Sequence, residues 1–249
     1  MNAPTLDCAS QTGQAAASAA LAAEDRLYAK VTRRLITFLF IGYVFAFIDR
    51  TNVGFAKLGM QADLGFSEAV FGLGAGIFFV SYFMLEVPSN MMLARFGARR
   101  WIARILITWG LLSVATMLVK TPMQFYTVRF LLGAAEAGFF PGVMLYLTQW
   151  YPAQRRGRVI TLFMAAIPVG SILGGIVSGW ILSHFSGHGV LAAWQWLFLL
   201  EGAPAVVMGV IALWYLDDSI EKARWLGSEE KRVLQANVAS DQQQTVTHS

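Results

Sequence analysis

The sequence predicts an all-α membrane protein, a bundle of six transmembrane helices, and three observations carry that prediction. Of the 249 residues, 56% are hydrophobic and 14% charged, and the mean hydropathy of +0.54 lies well above that of an ordinary soluble domain. The apolar residues collect in six runs, each close to the roughly 20 residues a helix needs to cross about 30 Å of hydrocarbon. These runs are continuously apolar and lack the alternation over about ten residues that marks a membrane β-strand.

Taken in order, residues 1–32 precede the bundle, and residues 1–25 of them are rich in Ala, Ser, Gln and Thr and carry no basic head followed by an apolar core. They do not read as a cleavable signal and are expected to form a disordered tail. The lone Cys8 lies there, which excludes an internal disulfide framework. Residues 33–217 hold the bundle, with spans expected over Leu35–Ala56, Val70–Leu93, Trp101–Val119, Met123–Leu147, Val159–Leu182 and Trp196–Leu216. Residues 218–249 turn polar, and Ser228 is placed to cap an amphipathic helix outside the membrane.

The 19 basic residues are sorted by side. Fifteen fall before span one, between spans two and three, between four and five, or after six, while only Lys57 and Lys120 serve the opposite side. Such asymmetry places both termini in the cytoplasm of a multi-pass protein of the plasma membrane. It also argues against nucleic acid as the partner of the net charge of +4. The bilayer is that partner.

Two constellations stand out among the charged residues inside the spans, Asp49 with Arg50 in the first and Arg129 with Glu136 in the fourth, while Glu86 in the second reads as structural and Glu201 with Pro204 in the sixth as the shaper of a bend or interface. An ionisable group at that depth costs about 2.5–3.5 kcal/mol on insertion scales, so the four must pair, line a wet cavity, or both. Arg129 and Glu136, seven residues apart, share one helix face about 10 Å apart along the axis. Asp49 and Arg50 diverge by about 100°, so one of them can reach across toward span four. A guanidinium is a planar fork for a carboxylate, and a buried carboxyl can take up a proton. These are the parts of a proton-coupled organic anion carrier. Phe47 and Tyr43, one and two turns before the charges, are expected to line the same pocket. His184 and His188 stand in an outer loop with no cysteine or carboxylate beside them, so no metal site is expected. A membrane serine protease lacks its nucleophile turn and its intramembrane histidine, so the chain is not expected to be an enzyme, and no cofactor is expected beyond a driving ion, H+.

Internal symmetry points to a 3+3 repeat. Spans one and four hold the charges, and spans two and five mix glycines (Gly72, Gly74, Gly76; Gly170, Gly174, Gly175, Gly179) with a proline, Pro88 or Pro168. A binding site is then expected where the equivalent first helices meet.

With those residues in hand, Phe47-Ile48-Asp49-Arg50-Thr51-Asn52-Val53-Gly54 and Arg129-Phe130-Leu131-Leu132-Gly133-Ala134-Ala135-Glu136 resemble the first and fourth helices of the anion:cation symporter family of the major facilitator superfamily. Trp150 to Arg158 is similar to that family's boundary after the fourth helix. The resemblance implies half of a twelve-helix fold, with residues 218–249 as the start of a central cytoplasmic linker. It implies a secondary transporter that moves an organic anion, such as an aromatic or sugar-derived carboxylate, together with a proton. Arg50 would contribute to anion recognition, Asp49 and Glu136 would take up protons, Arg129 would pair within the network, and Tyr82 would contact substrate. In the loop after span two, Arg95, Gly97, Arg99 and Arg100 resemble the superfamily's gating motif, but Ala94 stands where its acid belongs and Asn90 where a glycine belongs. Whether the chain is a fragment, a split product or a half-transporter that joins a second chain stays open here. So do two other functions, an organic-anion antiporter and a non-transporting scaffold.

Overall fold

The computed structural model describes residues 5–186 and 190–247. Its elements are α1 (Thr5–Leu64), α2 (Glu68–Phe96), α3 (Ala98–Ala115, extended by a 3-10 turn at Thr116–Leu118), α4 (Pro122–Glu136), α5 (Phe139–Thr148), α6 (Ala153–Met164), α7 (Ala166–His184), α8 (Ala193–Tyr215) and α9 (Ser228–Thr247). No strand occurs among the described residues. Six helical segments are long and apolar enough to span a membrane, with α4–α5 together forming the fourth and α6–α7 the fifth.

The first helix corrects an expectation. Residues 5–32 of the supposed disordered tail continue α1 as helix. The run Ala15-Ala16-Ala17-Ser18-Ala19-Ala20 has the highest intrinsic helix propensity in the chain. Farther along, Leu27, Tyr28 and Val31 are buried. Lys30 pairs with Glu230 of α9 at 2.7 Å, and Arg155 of α6 pairs with Asp25 at 2.7 Å. Asn237 of α9 donates to Glu24 at 3.1 Å. Residues 24–31 of α1, α6 and α9 thereby pack together at one end of the bundle.

Three pairings dominate the packing: α3 with α8, α2 with α4, and α1 with α7. Exchanging spans one, two and three for four, five and six carries the α1·α7 pair onto α4·α2 and leaves α3·α8 in place. That is the contact pattern of a 3+3 repeat. Glycines bring the helices close. A Cβ on Gly74 would strike the Phe125 ring, and one on Gly170 would stand 2.7 Å from the Phe47 side chain. Gly72, Gly76 and Gly179 face nothing within 4 Å, so close approach uses only part of each glycine series.

The fourth span is not one helix. After Glu136, Ala137 turns to φ −54°, ψ 130° and Gly138 to a left-handed φ 85°, and α5 starts at Phe139. Pro141, in the first turn of α5, is tolerated because its missing N–H would have had no helical partner. A side chain at Gly138 would collide with Ser89 of α2. Position 138 therefore needs glycine both for its dihedral and for its space.

Candidate functional site

Arg50 and Glu136 meet. The guanidinium leaves the half-exposed face of α1 and its Nη2 donates to Oε1 of Glu136, the last residue of α4. The Arg50 side chain is 26% exposed and that of Glu136 4%, so the arginine keeps one flank open while the carboxyl is enclosed. The break after Glu136 ends α4 at that point, and a discontinuous helix at mid-membrane is a recurrent way to present a binding group.

An aromatic wall surrounds the arginine. Its guanidinium carbon lies 5.3 Å from the ring centre of Phe47, 5.6 Å from Tyr82 and 5.9 Å from Phe78, within cation–π range. Tyr43 is buried deeper, stacked on Phe163 at 4.6 Å and meeting Phe47 edge-on at 5.1 Å. It presents less surface than Phe47 or Tyr82, both partly buried.

Arg129 lies outside the ion pair. Buried to 5% exposure, it holds its guanidinium 4.5 Å from the Phe78 ring and donates from Nε to the Gly74 carbonyl at 3.5 Å. Arg50 and Arg129 thus share Phe78 as a neighbour. Gly133, three residues before Glu136, lets α4 approach α2: a Cβ there would strike the Phe78 carbonyl and the Ser81 hydroxyl.

Asp49 turns the other way, as the 100° offset from Arg50 requires. Its Oδ1 accepts from Asn52 Nδ2 at 2.9 Å and from the Ser113 hydroxyl of α3, and its Oδ2 accepts from Trp109 Nε1 at 2.7 Å. These donors come from two helices. Nothing in the sequence marks Trp109 and Ser113, which are ordinary members of an apolar run.

The loop residues sit between α2 and α3. Gly97 adopts φ 88°, and the backbone N–H of Arg99 donates to Oδ1 of Asp218, beyond the end of α8, at 3.0 Å. Asp218 thereby places a carboxylate at the N-terminal end of α3. Phe96 stacks on Trp101 at 5.8 Å, with the Arg95 guanidinium 5.8 Å from the Phe96 ring. Arg99 and Arg100 occupy the first turn of α3. His184 ends α7 stacked on Trp180 at 4.7 Å, whereas His188 lies outside the described residues. A separate cavity of about 800 Å³ opens between α1 and α6 beside Tyr28, Arg33 and Arg158, and it does not border the Arg50–Glu136 pair.

The paired charges thus sit at a helix break inside a bundle of six apolar helices. The sequence pattern of the Major Facilitator Superfamily matches residues 39–245, and the chain belongs to that superfamily. It is 57% identical over 215 residues to NicT of Pseudomonas putida, named for metabolite transport, covering 86% of this chain and 49% of that protein. An Agrobacterium vitis protein named for tartrate transport is 52% identical over 219 residues, covering 88% of this chain and 50% of the other. RhmT, an inner membrane transport protein of Escherichia coli strain K12, is 44% identical over 225 residues, covering 90% and 52%. The chain spans about half the length of the curated relatives it matches. Among solved structures, the Escherichia coli xylose transporter XylE in a partially occluded inward-open conformation aligns with a TM-score of 0.68 at 16% identity, over 88% of this chain and 59% of that one. A bacterial homolog of the human lysosomal transporter Spinster aligns at 0.67 with 22% identity, over 78% and 46%. Both establish the fold as that of a major facilitator half. The chain is an integral membrane protein of a transporter superfamily and not an enzyme.

Proposed function

We propose that this chain forms the N-terminal half of a secondary carrier that moves an organic anion together with a proton across the inner membrane, with both termini in the cytoplasm. The observation that carries the reading is the Arg50–Glu136 pair at the break between α4 and α5. The same guanidinium that holds Glu136 is the fork a substrate carboxylate would use. In the empty deprotonated state the carboxyl of Glu136 occupies Arg50. A proton on Glu136 removes that competitor and frees the guanidinium for the anion. Proton and substrate then favour the same state and raise each other's affinity, which is coupling by linkage.

Substrate class follows from the wall and from the relatives. Phe47 and Tyr82 beside Arg50, both partly exposed, offer ring faces to an aromatic acid or the apolar side of a sugar acid. The name of the Agrobacterium vitis relative refers to tartrate, a dicarboxylate, which fits an arginine as anchor. Cytoplasmic termini are supported by the basic residues gathered at one end, among them Lys30 and Arg155, which pair with Glu230 and Asp25. Asp49, in its cage of donors, and Arg129, beside Phe78, tune the field around the pair.

Uptake of radiolabelled tartrate and aromatic carboxylates into cells expressing the protein, at several external pH values, tests the reading. Acidification should accelerate uptake by the parent and lose that effect in Glu136→Gln. Arg50→Lys should weaken substrate affinity about 10–100-fold, the worth of about 1.5–3 kcal/mol for a charged hydrogen bond. Acid-driven accumulation retained in Glu136→Gln would remove Glu136 from the coupling role.

A further inference from the structure

A fifth charged side chain is buried in the bundle. Glu201 of α8 is 3% exposed, and its Oε1 accepts from the Ser178 hydroxyl of α7 at 2.7 Å. Its Oε2 is buried with no hydrogen-bond partner. The neighbours are polar and enclosed: Asn52 is 1% exposed and Ser178 and Ser113 are 0% exposed. Asn52 stands beside both acids, donating from Nδ2 to Asp49 at 2.9 Å and facing Glu201 across α1 and α8.

Charge accounting distinguishes this place from the Arg50–Glu136 pair. The buried network holds three carboxyls, Asp49, Glu136 and Glu201, against two guanidiniums, Arg50 and Arg129. Glu136 takes Arg50. Asp49 is the charged group facing Glu201, Arg129 of α4 stands beyond it toward Asp49, and α3 and α7 contribute only the uncharged Trp109, Ser113 and Ser178. One unit of negative charge is therefore left over, in a setting where an uncompensated charge is costly. Both oxygens of Asp49 are occupied as acceptors. Glu201 Oε2 is the oxygen left for a hydrogen.

We propose that Glu201 and Asp49 form a second proton-holding station, in which Glu201 carries the proton on Oε2 and the Asn52 amide links it to the Asp49 carboxylate. With a hydrogen there, Glu201 is neutral, and the Asn52 amide, whose Nδ2 donates to Asp49, stands between the neutral and the charged acid. The unpartnered oxygen and the surplus charge are resolved by the same proton. The station lies at the junction of α1, α3, α7 and α8; Asp49 is its member nearest the Arg50–Glu136 pair, and Glu201 stands on the far side of it. It does not depend on the transport reading and is measured without substrate.

Infrared difference spectroscopy on the full chain in lipid vesicles, between neutral and alkaline pH, tests it. The expected result is a protonated-carboxyl C=O band at neutral pH that is lost in Glu201→Gln, kept in Glu136→Gln and shifted in Asn52→Leu. Labelling the unmutated chain with 13C-glutamate should move the band, which keeps the test valid if Glu201→Gln fails to fold. Ser178→Ala should shift it as well. A band that survives Glu201→Gln, or that ignores the glutamate label, overturns the proposal. So does the absence of any such band at neutral pH. A band abolished by millimolar Na+ would overturn it in favour of a bound metal cation. Loss of this band's assignment leaves the pH dependence of uptake in Glu136→Gln untouched, so the two readings fail separately.

Discussion

Replacing Gly138 by alanine probes the break that ends α4 at Glu136, and two costs add. Gly138 sits at φ 85°, and a left-handed backbone costs an L-residue about 1–2 kcal/mol. The new Cβ would also run into the Ser89 side chain on α2, and forcing a methyl group into filled space costs about 1–3 kcal/mol. The expected destabilisation is about 2–5 kcal/mol. Gly65 supplies the control, since it has φ 67° and an added methyl group there would meet nothing within 4 Å. Gly65→Ala should therefore lose only the backbone share, about 1–2 kcal/mol. Unfolding of the purified chain in mixed micelles, followed by helical circular dichroism as denaturing detergent rises, reads both variants on one scale. Equal losses for the two substitutions would refute the packing of Ser89 against the break.

Other outcomes follow from the same contacts. Trp109→Phe removes the 2.7 Å donor to Asp49 Oδ2 and should cost about 1.5–3 kcal/mol in the same unfolding assay, because a buried acceptor is left short. Asp218→Ala takes the acceptor from the Arg99 N–H and should cost about 0.5–2 kcal/mol, the worth of a helix N-cap. The tie between α9 and α1 should be acid-labile. The Lys30 ammonium and the Gly227 backbone N–H hold Glu230 below its ordinary carboxyl range. Its contribution is therefore complete above the unfolded value of about 4.3 and is lost as pH falls through the lower folded value. Trp225 fluorescence and protease cleavage of α9 should show release over that acid range, and Lys30→Ala should show it already at neutral pH.

What the sequence reveals depends on how local the cause is. Hydropathy locates the six spans because burial in lipid is a property of about 20 consecutive residues. The meeting of spans one and four follows from charges that could not stay unpaired. Which of Asp49 and Arg50 reaches span four is not legible, because their 100° offset leaves the rotation of α1 open until packing turns Asp49 toward α3 and Arg50 toward α4. The break in span four has a local signal in Gly138 and Pro141, three residues apart, yet both residues are common in membrane helices, so Met123 to Leu147 reads as a single helix. Glu201 reads as the shaper of a bend near Pro204. Its burial beside Asn52 and Ser178 joins three helices, and no spacing along one chain segment encodes that. Asp218 stands in a polar stretch, and its contact with Arg99 spans 119 residues. The alanines before Glu24 read as a low-complexity tail, whereas their helix propensity is the stronger cue.

The unbroken α1 is a drive shaft. Lys30 and Arg50 lie on one rigid rod, twenty residues or about 30 Å apart, with Glu230 gripping one and Glu136 the other. No break in α1 separates the two grips. Residues that hold the clasp to α9 and the mid-bundle ion pair therefore share one helix, so neither can shift along the axis without the other.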